Sequence, residues 1–109
     1  MNFEISYTDN FEREVRKLAK KYRSIKNDLG RLIDDLRKNP LQGTPIGKDC
    51  YKIRLAISSK SKGKSGGARV ITHVHVAGAQ VYLLSVYDKS DQENISDKEL
   101  LALLRYIES

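Results

Sequence analysis

From Val70 to Tyr87 the chain has no Lys, Arg, Asp or Glu, although 31% of its 109 residues are charged. A stretch that avoids charge for this long has to be covered by the rest of the protein. It is rich in β-branched and aromatic residues, and Ala77-Gly78-Ala79 interrupts it near the middle. That pattern predicts two strands, Ala68–Ala77 and Gln80–Lys89, joined by a tight turn. A third strand, Cys50–Ser59, precedes them and is connected through a Lys/Ser/Gly tip at 60–67. A sheet is therefore the centre of the fold, and other segments must cover it.

Those segments are legible. Phe3, Ile5 and Tyr7 alternate with polar residues, which predicts a short first strand. Asp9 or Asn10 is expected to cap a helix carrying Phe11, Val15, Leu18 and Tyr22 at helical spacing. Ser24 is expected to cap a second, with Ile25, Leu29, Leu32, Ile33 and Leu36 on one face and Pro40 beyond its end. The Pro and Gly content of 39–48 predicts a loop. Ser96 and Glu99 form a capping box for a last helix with Leu100, Leu101, Leu103, Leu104 and Ile107. The expected order is β-α-α-β-β-β-α, one α+β domain over residues 1–109. Its antiparallel sheet packs on an N-terminal α-hairpin.

Strand alternation then sorts the side chains. On the first of the three strands Tyr51, Ile53, Leu55 and Ile57 face the helices. On the second Val70, Thr72, Val74 and Val76 do so, and on the third Tyr82, Leu84 and Val86. The opposite face then gathers Lys52, Arg54, Arg69, His73, Tyr87 and Lys89. Around it, Lys48, Lys60, Lys62 and Lys64 add to the charge, and between Lys48 and Arg69 the one acid is Asp49. The formal net charge is +6. Exposed Lys and Arg often serve solubility alone, but this concentration on one sheet face points to a polyanion, foremost nucleic acid. Metal-free RNA cleavage needs a deprotonated 2′-hydroxyl, a stabilised pentavalent phosphate and a protonated leaving oxygen. Arg and Lys can neutralise the phosphate, and Tyr, His or Lys can move protons.

Other chemistries fit less well. Gly63-Lys64-Ser65 resembles the end of a phosphate loop, but Ser58 stands where its first glycine belongs, and the segment joins two strands. His73 and His75 lack Cys or acidic neighbours for a metal site. The single Cys50 cannot form an internal disulfide and is expected to be an inert small residue. The N-terminal residues lack the features of a signal peptide, and no apolar run reaches the length of a membrane span. A soluble cytoplasmic protein without cofactor or metal is expected.

The runs Cys50-Tyr51-Lys52-Ile53-Arg54-Leu55, Gly63-Lys64-Ser65-Gly66-Gly67-Ala68-Arg69-Val70-Ile71 and Tyr87-Asp88-Lys89 resemble RelE/ParE-superfamily toxins of bacterial toxin–antitoxin modules, closest to the HigB-like branch. Phe11, Leu18-Ala19-Lys20-Lys21-Tyr22, Asn39-Pro40 and Gly43 fit the same pattern, so the resemblance spans nearly the whole chain. It implies a ribosome-dependent endoribonuclease that cuts mRNA without a metal and leaves a 2′,3′-cyclic phosphate. By that resemblance Arg69 contacts the scissile phosphate, Lys52 and Arg54 form the basic pair on the preceding strand, and Lys89 supplies the basic group after the last strand. The chain departs from RelE where a catalytic tyrosine would follow that strand and Ser90-Asp91-Gln92-Glu93-Asn94-Ile95 stands instead. Tyr87 and Lys89 are the expected substitutes. The resemblance also implies a cognate antitoxin of helix-turn-helix type whose complex with the toxin binds operator DNA. A ParE-like gyrase poison and an inactive relative that retains RNA or antitoxin binding share the same fold.

Overall fold

Thr8, rather than Asp9 or Asn10, caps the first helix. Its backbone is extended and its Oγ1 accepts a hydrogen bond from Phe11 N at 3.2 Å. This turns the chain out of strand β1 (Glu4–Tyr7) into helix α1 (Asp9–Lys21) and leaves Asp9 in the first turn, where a negative charge favours the helix dipole. The computed structural model describes residues 2–60 and 66–108, so most of the expected tip, with Lys62 and Lys64, lies outside the described residues. Helix α2 (Ile25–Lys38) follows Ser24, whose side chain does not cap it. Ser24 Oγ instead donates to Asp28 Oδ2 at 2.8 Å.

Four further strands are β2 (Thr44–Gly47), β3 (Cys50–Leu55), β4 (Ala68–His75) and β5 (Gln80–Asp88), and the sheet order is β1-β5-β4-β3-β2. The sheet is mixed rather than wholly antiparallel, because β1 runs parallel to β5 after the two-helix crossover. Strand β2 lies inside the segment expected to be a loop. Pro45 is tolerated there because β2 is an edge strand. Gly43 precedes it with φ 92°, where an added Cβ would collide with the Lys52 carbonyl. Strand β3 ends at Leu55, and a 3₁₀ turn occupies Ser58–Lys60. Val76 lies in the β4–β5 turn and is 60% exposed, outside the apolar set assigned to it.

The apolar stripes of α1 and α2 meet one sheet face. Phe11, Leu18, Ile25, Leu29, Leu32 and Leu36 pack with Ile53, Leu55, Ile57, Val70 and Val74. From β5, however, it is Val81, Leu83 and Val86 that join this cluster, whereas Tyr82 and Leu84 face the other way. The shift arises from a bulge. Ile71 pairs with Ser85 and Thr72 with Leu83, so Leu84 is the extra residue. One inserted residue switches the inward set from odd to even numbers, which is why strict alternation misplaces Tyr82 and Leu84 but places Val86 and Tyr87 correctly. Three polar side chains of the β1–α1 corner clamp the bulge. Thr8 Oγ1 and Asn10 Nδ2 reach the Leu84 carbonyl at 3.3 and 3.0 Å, and Glu14 Oε1 accepts from Ser85 Oγ at 2.8 Å and Val86 N at 3.3 Å. Burial raises the pKa of Glu14, against the opposing effect of these hydrogen bonds.

Helix α3 (Asp97–Glu108) covers part of the opposite face. The expected capping box forms, with Glu99 N donating to Ser96 Oγ and Ser96 N to Glu99 Oε1, both at 3.1 Å. Leu100 is buried against Cys50, Ile71, Leu84 and Tyr87, with Leu103, Leu104 and Ile107 alongside. Leu101 turns outward and is 46% exposed. Among the described residues no helix is long and apolar enough to cross a membrane.

Thr8→Ala removes both the cap and two contacts to the bulge carbonyls. It should lower the free energy of unfolding by about 1–2 kcal/mol in urea titration.

Candidate functional site

Arg54, Arg69 and Tyr87 lie side by side across three strands, as β3 pairs Arg54 with Arg69 and β4 pairs Arg69 with Tyr87. Like charges directly opposite one another weaken a strand pair. Arg69 is moreover only 4% exposed, and one of its guanidinium nitrogens donates to the Ala68 carbonyl at 3.0 Å. Two guanidinium groups are thus brought together on one face of the sheet.

Above this row lies a cleft of about 190 Å³ lined by Thr44, Lys52, Arg54, Arg69, Lys89, Glu93 and Asn94. Strand alternation puts Lys52 on the same face as Arg54, and Lys52 Nζ donates to Asn94 Oδ1 at 3.0 Å. The loop after β5 thus folds back over β3 and closes one side of the cleft. Larger grooves exist, one of about 490 Å³ between α2 and the edge of β3 and one of about 350 Å³ between α1 and α2. The smaller cleft is chemically the more telling, because four cations from three separate segments of the sequence converge on it.

Asp88 anchors the loop. Its carboxylate is buried and accepts from Lys60 Nζ at 2.8 Å, Tyr22 Oη at 2.5 Å, Ser90 Oγ at 2.7 Å and Ser90 N at 3.0 Å. Burial alone would raise its pKa, but these bonds outweigh that and hold the carboxyl well below the usual carboxylate range. Asp28 fastens the other side in the same manner, accepting from Ser58 N at 2.9 Å and Ser58 Oγ at 2.6 Å. The start of the β3–β4 connection is therefore tied to α1 and α2 through two carboxylates.

The cleft unites Lys52, Arg54, Arg69 and Lys89, all four expected from the sequence. Other candidates fall elsewhere. Tyr87, at the β5 end of the row, is only 6% exposed and does not line the cleft. Burial raises its pKa, the Arg69 charge opposes this, and Oη has no hydrogen-bond partner among the described residues. The last helix and its leading turn close over it, so it stands apart from the four cations of the cleft. Lys60 is engaged with Asp88, sits 5.3 Å from the Tyr22 ring centre and does not line the cleft. His73 pairs with Cys50, roughly 13 Å along β4 from Arg69 at strand spacing. His73 Nδ1 lies 3.0 Å from the carbonyl of Lys48, which stands in the β2–β3 turn at φ 54°. Both are at the far end of the sheet. Cys50 is buried beside them with its thiol pushed up to about 11, which fits the expected inert residue.

Thr44, Glu93 and Asn94 were not singled out by their sequence. Their only signal is position, in the segment that replaces the expected tyrosine and in a short strand hidden among Pro and Gly.

The family model described as "RelE toxin of RelE / RelB toxin-antitoxin system" matches residues 7–108. The chain belongs to the RelE toxin family. Among solved structures it is similar to a mutant of the Escherichia coli toxin RelE in the free state, with 24% identity, a TM-score of 0.62 and coverage of 85% of this chain and 90% of that one. The isolated E. coli RelE toxin gives 21% identity and a TM-score of 0.60 over 96% and 98% of the two chains. The toxin–antitoxin complex RelBE2 from Mycobacterium tuberculosis gives 19% and 0.62, over 84% and 95%. The α+β architecture of this RelE-family chain is thus a RelE-like fold.

Because the folded pKa of Asp88 lies below its unfolded value, its stabilising contribution is complete above about pH 4 and is lost as the pH falls further toward the folded value. Asp88→Asn should cost about 3 kcal/mol at neutral pH, since Lys60 is then left without its anion. The variant should also show a shallower loss of stability below pH 4, measured as urea midpoints across an acid series.

Proposed function

We propose that the chain is the toxin of a toxin–antitoxin pair and acts as a metal-independent endoribonuclease on mRNA held by the ribosome. The observation that carries this reading is the cleft in which Lys52, Arg54, Arg69 and Lys89 converge. A scissile phosphodiester gains negative charge on its non-bridging oxygens as the 2′-oxygen attacks. Fixed guanidinium and ammonium groups at that point lower the barrier most where charge develops. Gyrase poisoning by binding alone would need no such phosphate clamp. A cleft that supplies charge in fixed positions suits an enzyme that leaves substrate alignment to the ribosome.

The proposed protein partner is an antitoxin. Similar folds have been solved as the RelBE2 complex and as an E. coli RelE mutant bound to an antitoxin RelB peptide. A net charge of +6 favours an acidic segment on that partner. Operator binding is assigned to the complex, through a helix-turn-helix antitoxin, and the cytoplasm is the site of action.

Arg54 is the informative substitution, because it is exposed whereas Arg69 is buried. In primer extension on mRNA from briefly induced cells, the wild type should produce discrete new 5′ ends within translated codons. Arg54→Ala should reduce them by about 10²–10³-fold while thermal stability stays level or rises, since a like-charged cross-strand pair is relieved. Growth arrest with intact mRNA would move the assignment to gyrase, and normal growth with intact mRNA to a binding-only relative.

A further inference from the structure

Four cations can clamp a phosphate, and Tyr87, expected to carry a proton, is buried away from the cleft. We propose that Glu93 is the general base, an assignment that rests on the nuclease reading above. Glu93 is the one carboxylate among the described residues lining the cleft, and it is exposed. Its backbone is held in place from both sides. Upstream, Asp91 N and Gln92 N donate to the Asp88 carbonyl at 3.0 and 3.2 Å. Downstream, Asn94 receives Lys52 through its side chain, and its carbonyl accepts Gln92 Nε2 at 3.0 Å. The turn that replaces the expected tyrosine therefore presents a carboxylate to the phosphate-binding cations.

The chemistry balances without a metal or co-reactant. Glu93 takes the proton of the 2′-hydroxyl, and O2′ forms a bond to phosphorus. Arg54 and Arg69 stabilise the charge on the non-bridging oxygens. The P–O5′ bond breaks, and a cleft ammonium group, Lys52 or Lys89, gives O5′ its proton. The products are a 2′,3′-cyclic phosphate and a 5′-hydroxyl. Glu93 then returns its proton to the depleted lysine through solvent.

The test is single-turnover cleavage of mRNA on programmed ribosomes by the full chain, with wild type, Glu93→Gln and Glu93→Asp. Glu93→Gln should cleave about 10²–10⁴-fold more slowly with ribosome affinity and thermal midpoint unchanged, and Glu93→Asp should recover part of the rate. A substrate with sulfur in place of the leaving O5′ separates base from acid, because a thiolate leaves without protonation. Loss of a base is not repaired by it, so Glu93→Gln should remain slow. Cleavage within about threefold of wild type, full recovery on the sulfur substrate, or a loss of ribosome binding equal to the loss of rate would each overturn the assignment. A wild-type chain that leaves the mRNA uncut would instead overturn the nuclease reading itself.

Discussion

The bulge at Leu84 is the constraint on which the rest of the structure depends. Strand β5 lies second in the sheet, between β1 and β4, and it must serve two faces. Its first half sends Val81 and Leu83 to the helical hairpin, while its second half must send Val86 there and Tyr87 toward Arg69. A strand of strict period two cannot do both, since Leu83 and Val86 differ in parity. The extra residue resolves this, at the cost of leaving backbone groups without ladder partners. Thr8, Asn10 and Glu14 satisfy the groups around it, so the corner that starts the first helix also fixes the phase of the strand carrying the site.

The site depends in the same way on groups that lie outside it. Arg54 faces Arg69 across the strand pair, and Arg69 is nearly buried. Such an arrangement persists when the surrounding structure holds it. Asp88 ties the end of β5 to Lys60 and Tyr22, and Asp28 ties α2 to Ser58, so both approaches to the cleft are fastened by buried carboxylates. Gly67, just before Arg69's strand, has no room for a side chain, because an added Cβ would meet the Leu55 carbonyl. The cations are thus brought together by groups that never touch the cleft, which is how preorganised electrostatics are maintained.

Family membership fixes the architecture and the broad class of the protein but not its chemistry, because one fold can carry a nuclease or a binding poison. The solved relatives share 24% identity or less, which speaks for the fold alone. Function must be sought in the particular side chains of the cleft. There the chain sets a carboxylate and an amide, Glu93 and Asn94, beside the four cations.

The sequence by itself determined the three helices, the three central strands, the capping box at Ser96, and the face shared by Lys52, Arg54 and Arg69. These follow from local periodicity and capping chemistry, which neighbouring residues encode. Tertiary structure decided what depends on distant partners. It made a strand of Thr44–Gly47, because an edge next to β3 offers hydrogen bonds that Pro and Gly content does not reveal. It placed β1 parallel to β5 and inserted the bulge, because pairing register is set by contacts some 75 residues away. It buried Tyr87 under α3, engaged Lys60 with Asp88, separated His73 and Lys48 from the cleft, and folded Glu93 into it. Alternation says which way a side chain points; only packing says what it meets there.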